Sequence, residues 1–111
     1  MIEKILRDYL NRNASVPCYL QRPKVEPDKY ILIEKTGSFR RNYIIRSTFA
    51  IQSYAPRLYQ AAELNEEVKT LLDNAVVMDE ISASKLNSDY NFTNTADKHY
   101  RYQAVYNITH F

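Results

Sequence analysis

The chain has 111 residues, a net charge of +2, 45% hydrophobic residues and 25% charged residues. This length predicts a single domain spanning residues 1–111, and the composition is that of a globular protein and not of a disordered chain. So small a net charge gives no ground for nucleic-acid or membrane binding by itself. The single glycine excludes glycine-rich phosphate loops, and the single cysteine excludes an internal disulfide.

The first predicted element is a helix over residues 2–12, because its apolar residues recur at the spacing of one helical face. The same stretch contains Glu3 and no apolar run, so we expect no secretion signal. Pro17, Pro23 and Pro27 then forbid a helix. They favour a short edge strand at 16–21 and an extended connection at 22–29.

A hairpin with a basic tip is predicted next. Residues 30–35 form a compact apolar run typical of a central strand, and residues 43–54 are rich in strand-forming residues. Within the second run the odd-numbered positions, which include Phe49 and Ile51, are the more apolar and are expected to face the core. The segment "TGSFRRN" (36–42) between the two strands holds the only glycine and is predicted to be a loop.

The second half of the chain predicts a helix at 57–74, a strand at 76–86, a polar loop at 87–98 and a last strand in "KHYRYQAVYNITHF". In that last strand a period of 2 places Tyr100, Tyr102 and Tyr106 on one face. The predicted order is α-β-β-β-α-β-β. The fold class is therefore α+β, with one mostly antiparallel or mixed sheet of four to five strands and two helices packed on one face.

Residue types that could carry catalysis are few and scattered. Cys18 lies in an extended segment with no neighbouring histidine to activate it, so a packed apolar role is expected. An odd separation sends His99 and His110 to opposite faces of a regular strand, where they cannot share one metal ion. The sequence therefore predicts no catalytic residues, no cofactor and no metal site, and an enzyme is the least supported class.

A nucleic-acid-binding module is an alternative. Arg40 and Arg41 at the hairpin tip could meet phosphates, and strand tyrosines could stack on bases. Against this, acidic residues are nearly as numerous as basic ones, and no strand carries both aromatic and several basic residues on one face.

The order of features resembles the tail-terminator (tail-completion) proteins of long-tailed bacteriophages and prophages of Gram-positive bacteria. The likeness rests on "IEKILRDYLNRN" leading into "SVPCYLQRP", on the hairpin that runs into "QSYA" and an alanine-containing helix, and on "YRYQAVYNI". It extends over nearly the whole chain. Small head-completion and minor capsid proteins of the phage neck share much of it and remain the closest alternative.

The resemblance implies a structural virion protein without catalysis. Such proteins form a ring, usually a hexamer, that caps the tail tube and offers the surface for head–tail joining. The implied partners are further copies of the chain, the tail tube protein and the head–tail connector or head-completion protein. DNA passes through the lumen without being read, and no membrane is involved. The implied location is the tail or neck of the virion, and the cytoplasm of the bacterial host during assembly.

A closed ring of one chain needs two different patches on each subunit. Exposure and composition nominate the 36–42 segment and the last strand. The candidate assembly residues are Phe39, Arg40, Arg41, Tyr100, Arg101 and Tyr102.

Overall fold

The structure is a computed structural model that describes residues 1–96 and 99–111. It contains two α-helices, one 3₁₀ turn and five strands. In chain order they are α1 (Ile2–Asn13), β1 (Cys18–Tyr19), β2 (Tyr30–Arg41), β3 (Ile44–Ala55), α2 (Leu58–Asp73), the 3₁₀ turn (Ala75–Val77), β4 (Ile81–Asn91) and β5 (Tyr100–His110). The order α-β-β-β-α-β-β and the α+β class are confirmed.

All five strands form one sheet in the order β1-β2-β3-β5-β4. The short β1 runs parallel to β2, whereas the other neighbouring strands are antiparallel. The sheet is therefore mixed and mostly antiparallel, as predicted. The strands β1 and β4 are its edges.

Both helices pack on one face of the sheet and enclose the core there. The prediction that the odd-numbered positions of β3 face the core is confirmed, because Phe49 and Ile51 are buried against the helices. The core-facing side of the sheet continues into β5, because Tyr106 pairs with Phe49 and Ala104 pairs with Ile51. The main contributions from the helices are Leu6, Leu10, Leu64, Val68 and Leu72.

The predicted loop at 36–42 is wrong. The strand β2 continues to Arg41, and only Asn42 and Tyr43 form the turn of the hairpin. The cause is cross-strand pairing: residues 37–41 pair with residues 44–48, and a register shift between Lys35 and Gly37 accommodates the one extra residue. The turn residue with positive φ is Asn42, at 59°, and not the glycine.

The predicted strand at 76–86 is displaced. Residues 75–77 form the 3₁₀ turn, and β4 occupies 81–91. Residues 87–91 were expected to be loop, but as part of an edge strand their polar side chains can face water. Register shifts between Ile81 and Ala83 and between Leu86 and Ser88 let this irregular segment follow β5. Residues 97 and 98 of the predicted loop lie outside the described residues.

Candidate assembly surfaces

The six predicted assembly residues lie at two opposite ends of the sheet. Arg41 pairs with Ile44 at the start of β3, whereas Tyr100 pairs with Ala55 at its end. The twelve residues of β3 separate the two groups by roughly 36 Å, at about 3.3 Å per residue. The structure therefore offers two separate surfaces and not one.

The first surface is the hairpin corner, which we define as Phe39, Arg40, Arg41, Tyr43 and Ile44. Its apolar side chains are unusually open to solvent: Phe39 is 58% exposed, Tyr43 92% and Ile44 49%. The guanidinium of Arg46 lies 5.5 Å from the centre of the Phe39 ring. Exposed aromatic and aliphatic groups beside arginines are typical of contact surfaces between proteins.

Arg40 and Arg41 do not act together on one face. Strand alternation sends them to opposite faces, with Arg40 opposite Ile45 and Arg41 opposite Ile44. Phe39, Arg41, Ile44 and Arg46 line one shallow depression, from which Arg40 is absent. The predicted pair of Arg40 and Arg41 therefore does not meet one phosphate, and the arginine that shares the depression with Arg41 is Arg46.

The second surface consists of Tyr100, Arg101 and Tyr102, and its side chains are less accessible to a partner. Arg101 donates from Nε to the carbonyl oxygen of Phe92 at 2.9 Å and from Nη1 to the Tyr54 hydroxyl at 2.9 Å. Its guanidinium also lies 4.6 Å from the centre of the Phe92 ring. Tyr102 is half-buried, whereas Tyr100 is exposed beside Pro56, Arg57 and Leu58. Arg101 is thus a structural cross-link, and Tyr100 is the more accessible contact residue.

Sequence reasoning missed a polar and aromatic network on the sheet face opposite the helices. Tyr30 and Tyr54 stack with ring centres 4.5 Å apart and an interplanar angle of 7°. The guanidinium groups of Arg22 and Arg101 lie 5.4 and 5.5 Å from the centre of the Tyr54 ring. Both also donate to the Tyr54 hydroxyl, at 3.2 and 2.9 Å. Tyr54 is only 1% exposed and forms the centre of this network.

The network continues across the sheet through two buried glutamines. The Tyr54 hydroxyl donates to Gln52 Oε1 at 2.9 Å, Gln52 Nε2 donates to Gln103 Oε1 at 3.0 Å, and Gln103 Nε2 donates to the Tyr90 hydroxyl at 2.6 Å. At the other end, the Tyr30 hydroxyl donates to Glu26 at 2.7 Å. Burial and this carboxylate together raise the pKa of Tyr30 well above its usual value. Satisfied polar groups at these positions fix the strands relative to each other.

The cysteine is held in a structural role. Cys18 is 2% exposed, and burial raises the pKa of its thiol to about 12, so the reactive thiolate is suppressed. Its backbone is clamped by Asn11, which accepts from Cys18 N at 2.8 Å and donates to Cys18 O at 3.1 Å.

The two histidines lie apart, as predicted. His110 Nε2 is 2.8 Å from Ser47 Oγ on the core face, and His99 Nε2 is 3.3 Å from the Pro27 carbonyl oxygen beside the stacked tyrosines. Among residues 1–96 and 99–111, no three histidine, cysteine or carboxylate side chains gather where a metal ion could be held. Neither helix in the same part of the chain has the length and apolar character needed to cross a membrane.

Comparison with known proteins adds no identification: no protein-family model and no curated protein matches this sequence. The function is therefore inferred from the fold, from the two surfaces and from the resemblance in sequence.

Proposed function

We propose that the chain is the tail terminator of a long-tailed bacteriophage or prophage, a structural protein that caps the tail tube as a ring. The proposal begins from the resemblance in sequence and from an α+β fold of the kind the resemblance implies. The role is one of assembly and requires no catalytic residue, cofactor or metal.

The observation that carries the proposal is the presence of two different free sheet edges on one small domain. The strand β1 covers only Ile31 and Leu32 of β2, which leaves β2 from Ile33 to Arg41 without a strand on its outer side within the described residues. On the other side of the sheet, β4 is an edge along its length in the same part of the chain. A closed ring of identical subunits needs two unlike surfaces of this kind, one to meet each neighbour.

The exposed aromatic residues also support assembly. Tyr43, Tyr59 and Tyr100 are 92%, 74% and 42% exposed, and tyrosine is enriched where proteins meet. They are spread over both ends of the sheet, so they could serve contacts with a neighbouring subunit, with the tube and with the head connector. These three partners are the ones that a tail terminator must hold.

Electron microscopy tests the proposal directly. Tubes polymerised from the tail tube protein of the same phage are incubated with the chain and imaged with and without it. We expect added density of the tube's diameter at one end only. Tubes with unchanged ends at saturating concentration would contradict the proposal, whereas binding to isolated connectors alone would favour the head-completion alternative.

A further inference from the structure

Two corners at the same end of the sheet carry opposite charge. The hairpin corner is basic through Arg40 and Arg41. The second corner, which we call the acidic corner, comprises Asp73, Val76, Val77, Asp79 and Glu80. It lies where α2 passes through the 3₁₀ turn into β4. All five of its residues are exposed, with Val76 at 48% and Val77 at 75%.

Each corner thus combines exposed apolar side chains with charges of one sign. Within the described residues neither Arg40 nor Arg41 forms an ion pair, nor does Asp79 or Glu80. Opposite charges on two facing surfaces speed their encounter and fix their register, while the apolar groups supply contact area. The two corners therefore complement each other in both respects.

Strand register places the corners at the same height on opposite edges of the sheet. One row across the sheet runs through Arg40, Ile45, His110 and Ile81. Arg41 and Glu80 each lie one residue beyond this row, towards the same end. Rotation about an axis parallel to the strands can therefore bring Arg41 of one copy beside Glu80 of the next without a translation along that axis, which we call a vertical step. A contact without such a step closes into a ring, whereas a stepped contact gives a filament.

The directions of β4 and of the part of β2 that β1 leaves uncovered agree with this arrangement. Successive antiparallel pairings of β2 with β3, β3 with β5 and β5 with β4 leave β2 and β4 pointing in opposite directions. Facing edges of neighbouring copies are then antiparallel. However, register shifts interrupt β2 between Lys35 and Gly37 and β4 at two positions, and such bulges limit continuous pairing between edges. The side chains of the corners must therefore supply most of the contact.

We infer that the hairpin corner of one copy packs against the acidic corner of the next, and that this contact is the repeated subunit interface. The occupant is a second copy because both complementary surfaces belong to the same chain. Contact between two hairpin corners would bring arginines together and is disfavoured. The inference rests on the proposed ring for its biological purpose, and it is tested on the purified chain without tail tubes.

Charge reversal with exchange between two variants tests the inference. The first variant, R40E/R41E, carries two acidic corners, and the second, D79K/E80K, carries two basic corners. By light scattering on a sizing column, we expect each variant alone to associate at least ~10-fold more weakly than the unmodified chain, since like charges then face each other. An equimolar mixture should recover association, because every contact between unlike variants pairs opposite charges. The variant K24E/K29E makes the same charge change as R40E/R41E, but on the 22–29 connection, and should behave like the unmodified chain.

A cross-linking experiment gives a second measurement that does not depend on reversed charges. In a C18A background, R41C and E80C variants are mixed under mild oxidation, and we expect disulfide-linked dimers that unmixed variants form far less readily. Three results would overturn the inference. The unmodified chain could stay monomeric up to a concentration of ~1 mM. The charge-reversed variants could associate as strongly as the unmodified chain, or their equimolar mixture could fail to recover association. Capped tubes together with any of these results would leave the tail function standing while the inferred contact falls.

Discussion

Removal of the Tyr54 hydroxyl should destabilise the fold by about 2–3 kcal/mol. The substitution Tyr54→Phe keeps the ring stacked on Tyr30 but deletes three hydrogen bonds, two accepted from Arg22 and Arg101 and one donated to Gln52. Arg22 is the more exposed of the two arginines, with 47% of its side chain accessible, so water can replace much of its bond. Most of the loss in the free energy of unfolding should therefore come from the lost hydrogen bond to Arg101 and from the Gln52 Oε1 atom left without its donor. Gln52 is only 7% exposed, and an unsatisfied buried acceptor of this kind costs about 1–3 kcal/mol.

Urea unfolding of three tyrosine variants measures this effect. With a slope near the middle of the usual range, about 2 kcal/mol/M, the Tyr54→Phe midpoint should fall by roughly 1–1.5 M at unchanged slope. Tyr30→Phe deletes the bond to Glu26, whose side chain is 33% exposed, and the polar contact with the exposed Arg22. Because water can replace much of both, it should cost about 1 kcal/mol. Tyr43→Phe, at a residue 92% exposed, should change stability by less than about 0.5 kcal/mol. The reasoning is refuted if Tyr54→Phe falls within the error of Tyr43→Phe.

Three further predictions concern stability. Asp89 accepts hydrogen bonds from Lys69 at 3.0 Å and from the buried Asn65 at 2.9 Å. The variant D89A should therefore lower the free energy of unfolding in urea by about 1–2 kcal/mol. The control E66A, at a side chain that is 71% exposed, should lower it by less than about 0.5 kcal/mol, and equal effects would contradict this reasoning. A methyl group added to Gly37 would meet no atom of the described residues within 4 Å apart from its chain neighbours, and the φ of Gly37 is not positive. The variant G37A should therefore leave stability unchanged or raise it by up to about 1 kcal/mol, and a destabilising G37A would contradict this. The variant N42A should cost about 1 kcal/mol, because Asn42 has a φ of 59°. Burial raises the pKa of Cys18 from 9.0 to about 12, so the unfolded state loses the thiol proton first and stability should fall as pH rises from 9.0 towards 12, by up to about 1.4 kcal/mol per pH unit. C18A should flatten this fall around pH 9, where an unfolded tyrosine of ordinary pKa is still about 90% protonated, and an unchanged slope there would show that the thiol is not its source.

The sequence predicted the elements whose pattern is strong. The period of 2 in 43–54 placed Phe49 and Ile51 on the core side, as the structure has them. The same period in the last strand put Tyr106 on the face of Tyr100 and Tyr102, and the structure shows that Tyr106 lies in the core. The length of the hairpin and the position of β4 were not predicted. Residues 36–41 are exposed on both faces and therefore carry no alternation. Their strand conformation comes from pairing with β3 and not from burial.

The candidate surfaces were only partly accessible from the sequence, because strand register is a long-range property. The residues nominated in the last strand and in the 36–42 segment are all at or near the surface, but the sequence could not show that they lie at opposite ends of the sheet. Neither could it show that Tyr54 meets Arg101. That contact follows from the pairing of β3 with β5, which sets Tyr54 directly opposite Arg101. The only signal was a set of polar residues on the non-core positions of both strands.

The ability of the chain to stop tube growth tests the central claim most directly. Tail tubes are grown partway, incubated with the chain, and then given fresh tube protein, and tube lengths are measured by electron microscopy. A tail terminator predicts that treated tubes keep the length they had when the chain was added, while untreated tubes continue to grow. Treated tubes that resume growth to the same length distribution as untreated ones would contradict the account.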